Sequence, residues 1–186
     1  MIIESIITSS DKSGCVNVAP FGIKLNEDII TISPYIPSKT LENILYNNFL
    51  VINYVDDANI YVDCIVGEKK FKLNKCKKLN CYYLKNSIIH HEAKVIDYKP
   101  DPVRPIFQCK IIYSENHNDF MGINRARSAL IEACILATRT SYLGKSKILS
   151  DLEYLSNAIN KTSGKIEKKS WTKIKNFINK KLSKNG

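Results

Sequence analysis

Through roughly its first 115 residues the chain alternates short apolar runs with polar turns. Ile2 to Thr8 is rich in isoleucine and reads as a strand. Asn17 to Leu25 and Ile29 to Ser33 flank Asn26-Glu27-Asp28, a polar trio of the kind that closes a hairpin. Phe49 to Val55 is nearly continuous in apolar residues, the pattern of a buried strand. Ile88 to Tyr98 and Ile106 to Tyr113 follow as further strands. In the last of these Phe107, Cys109, Ile111 and Tyr113 alternate with Gln108, Lys110 and Ile112, which predicts one buried face. A short helix is predicted from Thr40 to Asn47, just after Pro37-Ser38. The stretch from Asn59 to Leu84 follows neither period and receives no assignment.

Past residue 120 the period lengthens. Ile123, Ala126, Leu130, Cys134 and Ala137 recur at helical spacing within Ile123 to Leu143. A second helix is predicted from Ser146 to Asn160, broken by Lys161-Thr162-Ser163-Gly164. A third carries Ile166, Trp171, Ile174, Phe177, Ile178 and Leu182 as an apolar stripe between lysines. The expected architecture is mainly β with C-terminal helices: a small β-barrel over 1–120 and a helical segment over 121–186, packed on the barrel and ending in a Lys-rich helix.

Composition narrows the class. The 186 residues are 44% apolar and 25% charged, which excludes wholesale disorder. The best apolar run, Ala129 to Ala137, is interrupted by Glu132 and falls well short of the ~20 residues a membrane helix needs, so no membrane span is expected. Met1 to Ser5 carries no basic residue, and a cytoplasmic protein is expected. Six scattered cysteines then read as reduced thiols. Cys76-x4-Cys81 followed by His90-His91 could be drawn as a metal cluster, but the spacing matches no strong zinc pattern; the plain reading is two loop cysteines and a pair of strand histidines.

The net charge of +10 is uneven. Residues 145–186 hold eleven lysines against Asp151, Glu153 and Glu167, a net +8, while the preceding residues balance 17 basic against 15 acidic groups. A basic tail attracts nucleic acid or anionic surfaces. Its aromatics, Tyr154, Trp171 and Phe177, are few and two lie on the packing stripe, which weighs against nucleic acid and for a helix docked on its own protein.

Four groupings could carry chemistry. Ser38, Lys39 and Thr40 precede Leu41-Glu42-Asn43 at a helix N-terminus, where free N–H groups, hydroxyls and a cation suit a phosphate; an ordinary N-cap is the alternative. Asn17, Val18, Ala19 and Pro20 offer small residues and backbone groups to a flat ligand, or form a strand-end turn. Asn53 in an apolar strand needs hydrogen-bond partners, either backbone or ligand. Arg125, Ser128, Glu132 and Arg139 share one helix face, suited to an anion, an intersubunit contact or a local ion-pair network. The G-x-S-x-G, Walker A, G-x-G-x-x-G and H-E-x-x-H signatures are all absent.

Taken in order, Asn17-x-Ala19-Pro20, Ser38-x-Thr40-x-x-Asn43, Val51-x-Asn53-x-x-Asp56-Asp57 and Asn124-Arg125-Ala126-x-x-Ala129-x-Ile131-Glu132-Ala133 resemble the family known as domain of unknown function 447. The resemblance runs from Met1 to about Lys165. That family looks like a branch of the FMN-binding split barrels, with flavoredoxins, flavin reductases and pyridoxamine-phosphate-oxidase-like proteins as relatives. It implies FMN as cofactor, with Ser38, Lys39 and Thr40 at the phosphate. Asn17, Val18, Ala19 and Pro20 would lie along the isoalloxazine edge, with Asn53 near the phosphate and ribityl chain and Asn43, the last residue of the Ser38-x-Thr40-x-x-Asn43 motif, also a cofactor-binding residue. Arg125 opens a helix peculiar to the family. It also implies a homodimer with FMN at the subunit interface. The Lys-rich stretch after Gly164 matches no family motif.

The expected function is a flavin-dependent oxidoreductase that passes hydride or electrons from a reduced nicotinamide or deazaflavin to a small acceptor. The alternatives are FMN storage or delivery without turnover and, further off, a nucleic-acid-binding barrel.

Overall fold

A computed structural model describes residues 1–68 and 70–183; the last three residues of the expected helical segment lie outside them. The chain forms two compact units, one of residues 1–55 and 71–120, the other of 56–70 and 121–186.

The first unit is a closed barrel in the order β1-β2-β3-β8-β7-β4, with every neighbouring pair antiparallel. Its strands are β1 (Ile3–Ser10), β2 (Val16–Asn26), β3 (Ile29–Ile32), β4 (Phe49–Tyr54), β7 (Ile89–Lys99) and β8 (Ile106–Asn116). The β2–β3 turn sits at the predicted polar trio, and Glu27 takes its positive φ of 53°. The barrel closes where Ile6, Ile7 and Thr8 pair with Asn53, Ile52 and Val51.

Strand alternation places Ile7, Ile23, Ile30, Ile32, Leu50, Ile52, Ala93, Phe107 and Cys109 in one core. Helix α1 (Lys39–Asn47) adds Leu41 and Ile44 to that core. Burying a side chain of this size is worth about 1.5–3 kcal/mol, so the two residues seat α1 firmly on the barrel.

The opposite face of β1, β4 and β7 is covered by residues 71–88, which include the short strands β5 (Leu73–Lys75) and β6 (Tyr82–Leu84). Val51, Cys76, Leu79 and Cys81 form a small apolar cluster there. Polar groups hold the rest of the cover in place. Thr8 Oγ1 donates to the Tyr82 carbonyl at 2.6 Å and Ser10 Oγ to that of Asn80 at 3.3 Å. The Leu84 N–H donates to Asn53 Oδ1 at 2.7 Å.

The second unit is helical: α2 (Asn59–Val66), α3 (Arg125–Thr138), α4 (Lys145–Thr162) and α5 (Lys165–Leu182). Ala126, Ala129, Ala133 and Ala137 line the buried side of α3, and such small side chains let neighbouring helices approach closely. Trp171, Ile174, Ile178 and Leu182 are buried along α5, as its stripe predicts, whereas Ile166 is exposed. Among the described residues no helix is long and apolar enough to cross a membrane.

Candidate functional site

The first turn of α1 is built by local capping and by two neighbouring strands. Ser38 is extended (φ −153°, ψ 144°), and its Oγ accepts from the Leu41 N–H at 3.3 Å. This is the N-cap arrangement. Ser9 and Asn17 face each other across β1 and β2, and each reaches α1. Asn17 Nδ2 donates to Thr40 Oγ1 at 3.0 Å, and Asn43 Nδ2 donates to Ser9 Oγ at 3.0 Å. Thr40 and Asn43 are both buried. Asn47 Nδ2 adds a bond to the Ser10 carbonyl at 2.7 Å. The structure therefore brings Asn17, Ser38, Lys39, Thr40 and Asn43 to one place.

Lys39 extends from this turn into solvent, 3.4 Å from Glu42 and 3.9 Å from Asp11. Asp11 also accepts from the Ser13 hydroxyl and from the N–H groups of Ser13 and Cys15. The Ser13 hydroxyl, with those N–H groups and Lys39, holds the Asp11 carboxyl below the usual range against the opposing effect of burial. One exposed cation thus stands beside two carboxylates. Ion pairs in contact with solvent hold a side chain only weakly, so an anion arriving at the helix terminus can take Lys39 over.

Val18, Ala19 and Pro20 continue β2 from Asn17, with Val18 buried and the other two half-buried. On one side they pair with Thr8, Ile7 and Ile6. On the other, β2 joins β3 only from Lys24 onward, so Ala19 to Ile23 face no strand of the barrel. A proline without an N–H is at home on such an edge.

Asn53 has internal partners at both ends of its amide. Its Nδ2 donates to the Ile6 carbonyl at 3.0 Å and to Thr8 Oγ1 at 3.2 Å, and its Oδ1 accepts from Leu84 N–H and Ser87 Oγ. These bonds account for a polar residue in an apolar strand without any ligand.

Arg125, the first residue of α3, belongs to the helical unit and is exposed. Ser128, Glu132 and Arg139 are exposed too, and among the described residues no ion pair links Arg125, Glu132 and Arg139. The ion-pair residue of this helix is instead Arg127, which sequence reasoning passed over. Its Nη1 lies 2.7 Å from Asp56 and its Nε 3.4 Å from Glu167. Asn124 caps α3, accepting from Ala126 N–H at 2.9 Å and Arg127 N–H at 3.2 Å.

A second polar centre lies in the barrel unit. His90 Nδ1 and His117 Nε2 are 2.7 Å apart, and both rings stack on Tyr83. Fully buried Glu92 stands 3.5 Å from His90 Nε2 and accepts three backbone N–H groups, from Lys77, Lys78 and Leu79, at 2.7, 2.8 and 2.7 Å. Burial holds the His90 imidazole below the usual histidine range. The sequence paired His90 with His91, but strand alternation sends the two to opposite faces, and His91 Nδ1 instead meets Ser114 Oγ at 2.7 Å.

Comparison with known proteins places this geometry in context. Residues 3–118 match the model described as Protein of unknown function (DUF447) N-terminal domain, and residues 124–176 the one described as Protein of unknown function (DUF447), which extends into the Lys-rich α5 that the sequence motifs leave outside the family. The fold is similar to that of an FMN-bound protein of the same family from Methanosarcina mazei, at 22% identity over 95% of this chain and 94% of that one, with a TM-score of 0.80. It is also similar to a flavoredoxin from Methanosarcina acetivorans, at 16% identity over 65% and 72% of the two chains (TM-score 0.55). A 2-nitrobenzoate 2-nitroreductase from Pseudomonas fluorescens matches at 19% identity over 61% and 64% (TM-score 0.55). At such identities the likeness is one of fold. The two family matches span most of the chain, and it belongs to the DUF447 family, with the split-barrel fold of the flavoredoxins.

Proposed function

We propose that the protein binds FMN and serves as a flavin-dependent oxidoreductase. The observation that carries this reading is the Asn17–Thr40 hydrogen bond, which ties the open-edged segment 17–20 to the capped first turn of α1. The M. mazei relative described as FMN-bound supports the choice of ligand. The residues present fit the group: Ser38 and Thr40 offer hydroxyls, α1 its N-terminal dipole, and Lys39 an exposed cation for the phosphate. Segment 17–20 would lie along the ring edge, and Asn43 would position Ser9 and α1 beneath it. Asn53 would act at a distance, by fixing residues 84–87 to β4. Bound FMN would supply hydride and electron transfer from a reduced nicotinamide or deazaflavin to a small acceptor. Of the barrel residues assigned to the cofactor in this reading, Lys39 alone is ionisable, so this chain's part is to bind and orient.

The same reading makes the protein a homodimer. Ile96, Tyr98, Val103 and Ile106 are exposed on β7, β8 and the turn between them, apolar surface of the kind that association buries. A solution mass twice the chain's 21.2 kDa is expected, and a monomer at all concentrations would count against it.

Steady-state oxidation of reduced nicotinamide and deazaflavin separates enzyme from carrier. Sustained turnover well above that of free FMN supports the oxidoreductase. A protein that binds FMN yet never exceeds the free flavin is a storage or delivery protein.

A further inference from the structure

The pairing of β7 with β8 puts Glu115 directly opposite His90, and the chain leaving β8 brings His117 back over both. One ring nitrogen of His90, one of His117 and a Glu115 carboxylate oxygen all lie within 4.8 Å of one another, and the two rings face each other through His90 Nδ1 and His117 Nε2. Two imidazole nitrogens and a carboxylate oxygen are a donor set for a borderline divalent ion, and Zn2+ takes such sets readily.

We propose that His90, His117 and Glu115 form a zinc-class metal site on the barrel unit, with Glu92 orienting His90 from behind. This site is independent of the flavin reading.

The surroundings fit a metal better than a chance contact. The nitrogens are 2.7 Å apart, and tetrahedral binding at about 2.0–2.1 Å would need them about 3.3 Å apart, a separation of a few tenths of an ångström. Tyr83 stacks on both rings, at 4.1 Å and 4.6 Å between centroids, and presents them side by side. Glu92 is already satisfied by three backbone N–H groups, so it stays in place whatever His90 does. Facing His90 Nε2, it directs that nitrogen's proton toward itself, so that Nδ1 is the acceptor of the bond from His117 Nε2–H, and an ion entering between the rings would displace that one proton. A carboxylate behind a metal-binding histidine is the usual way to fix its tautomer. His117 and Glu115 are only half-buried, which leaves an entry path.

One group competes. Lys77 Nζ holds Glu115 Oε1 at 2.9 Å and lies near the Tyr113 ring. A metal would have to take Glu115 from that ammonium.

The test is Zn2+ titration of the metal-stripped full-length chain carrying Cys15→Ser, so that the exposed thiol is removed. One retained zinc per chain is expected, with X-ray absorption showing nitrogen and oxygen neighbours at about 2.0–2.2 Å and no sulfur. His117→Ala and Glu115→Gln should each weaken binding at least tenfold while leaving the circular dichroism spectrum unchanged. Lys77→Met should tighten it, because the competing ammonium is gone. Failure to retain zinc, sulfur at about 2.3 Å, or affinity unchanged in His117→Ala and Glu115→Gln would overturn the proposal.

Discussion

Asn17 on β2 donates its side-chain amide to the buried hydroxyl of Thr40 on α1, at 3.0 Å. The bond joins two segments 23 residues apart, and both are proposed to touch the cofactor. Thr40→Val keeps the shape but leaves the amide without this acceptor. A loss of about 1–3 kcal/mol in urea unfolding is predicted, together with at least a tenfold fall in FMN affinity by fluorescence titration.

Ser38 separates capping from phosphate binding. Ser38→Ala loses the cap and about 1 kcal/mol of stability. Ser38→Asp retains a cap but adds a negative charge at the phosphate site. Stability near that of the wild type with FMN affinity reduced tenfold or more is expected for Ser38→Asp. The double variant Ser38→Ala with Thr40→Ala should also bind FMN at least tenfold more weakly while still folding. Unchanged affinity in these variants would place the phosphate elsewhere.

Tyr54 carries a buried hydroxyl with no hydrogen-bond partner among the described residues, and burial pushes its pKa up to about 12. Removing an unsatisfied hydroxyl does not sacrifice an internal bond. Tyr54→Phe should be neutral or stabilise the fold by up to about 1 kcal/mol, read as an unchanged or raised denaturation midpoint.

The thiols should sort by burial. Burial pushes Cys109 and Cys134 up to about 12, so neither forms much thiolate at pH 9. Exposed Cys15 should react promptly with a thiol reagent in the native protein. Buried Cys76, Cys81, Cys109 and Cys134 should react only on unfolding, and their fast labelling at pH 9 would contradict the packing described.

Glu167 gives the helical unit an acid dependence. Burial pushes its carboxyl up, but its own N–H, that of Gly164 and the Arg127 guanidinium outweigh this and hold it below its ordinary value of 4.5. The folded form therefore binds the proton less readily than the unfolded chain. The stabilisation is fully present above about pH 4.5 and is lost as pH falls through the lowered folded value. Glu167→Gln should flatten that part of the stability curve. Arg127→Leu removes the contacts to both Asp56 and Glu167 and should cost about 1 kcal/mol near neutrality, since both pairs are partly solvated.

The barrel was legible where one side of a strand is apolar. Phe107, Cys109 and Ile111 alternate as a half-buried strand must, and all three meet the barrel core. The same holds for the stripe of α5, apart from Ile166 at its exposed first turn. Residues 59–84 were illegible for two reasons. Helix α2 buries Ile60, Tyr61 and Val62 in succession, so it shows no amphipathic period. The cover over 71–88 is held by Thr8, Ser10, Asn53 and Glu92, partners far away in sequence. Likewise, His90 and His117 meet only through the β7–β8 register, 27 residues apart, which no local spacing encodes. Arg127 is the first unspecified position of the motif Asn124-Arg125-Ala126-x-x-Ala129, and the signal for it was the Asp56-Asp57 pair that follows β4.

The most direct test of the flavin reading is the visible absorption spectrum of the freshly purified protein, repeated after FMN addition and desalting. The account predicts a retained flavin spectrum, weakened in the Ser38 and Thr40 variants. A protein that stays colourless after FMN addition would contradict it.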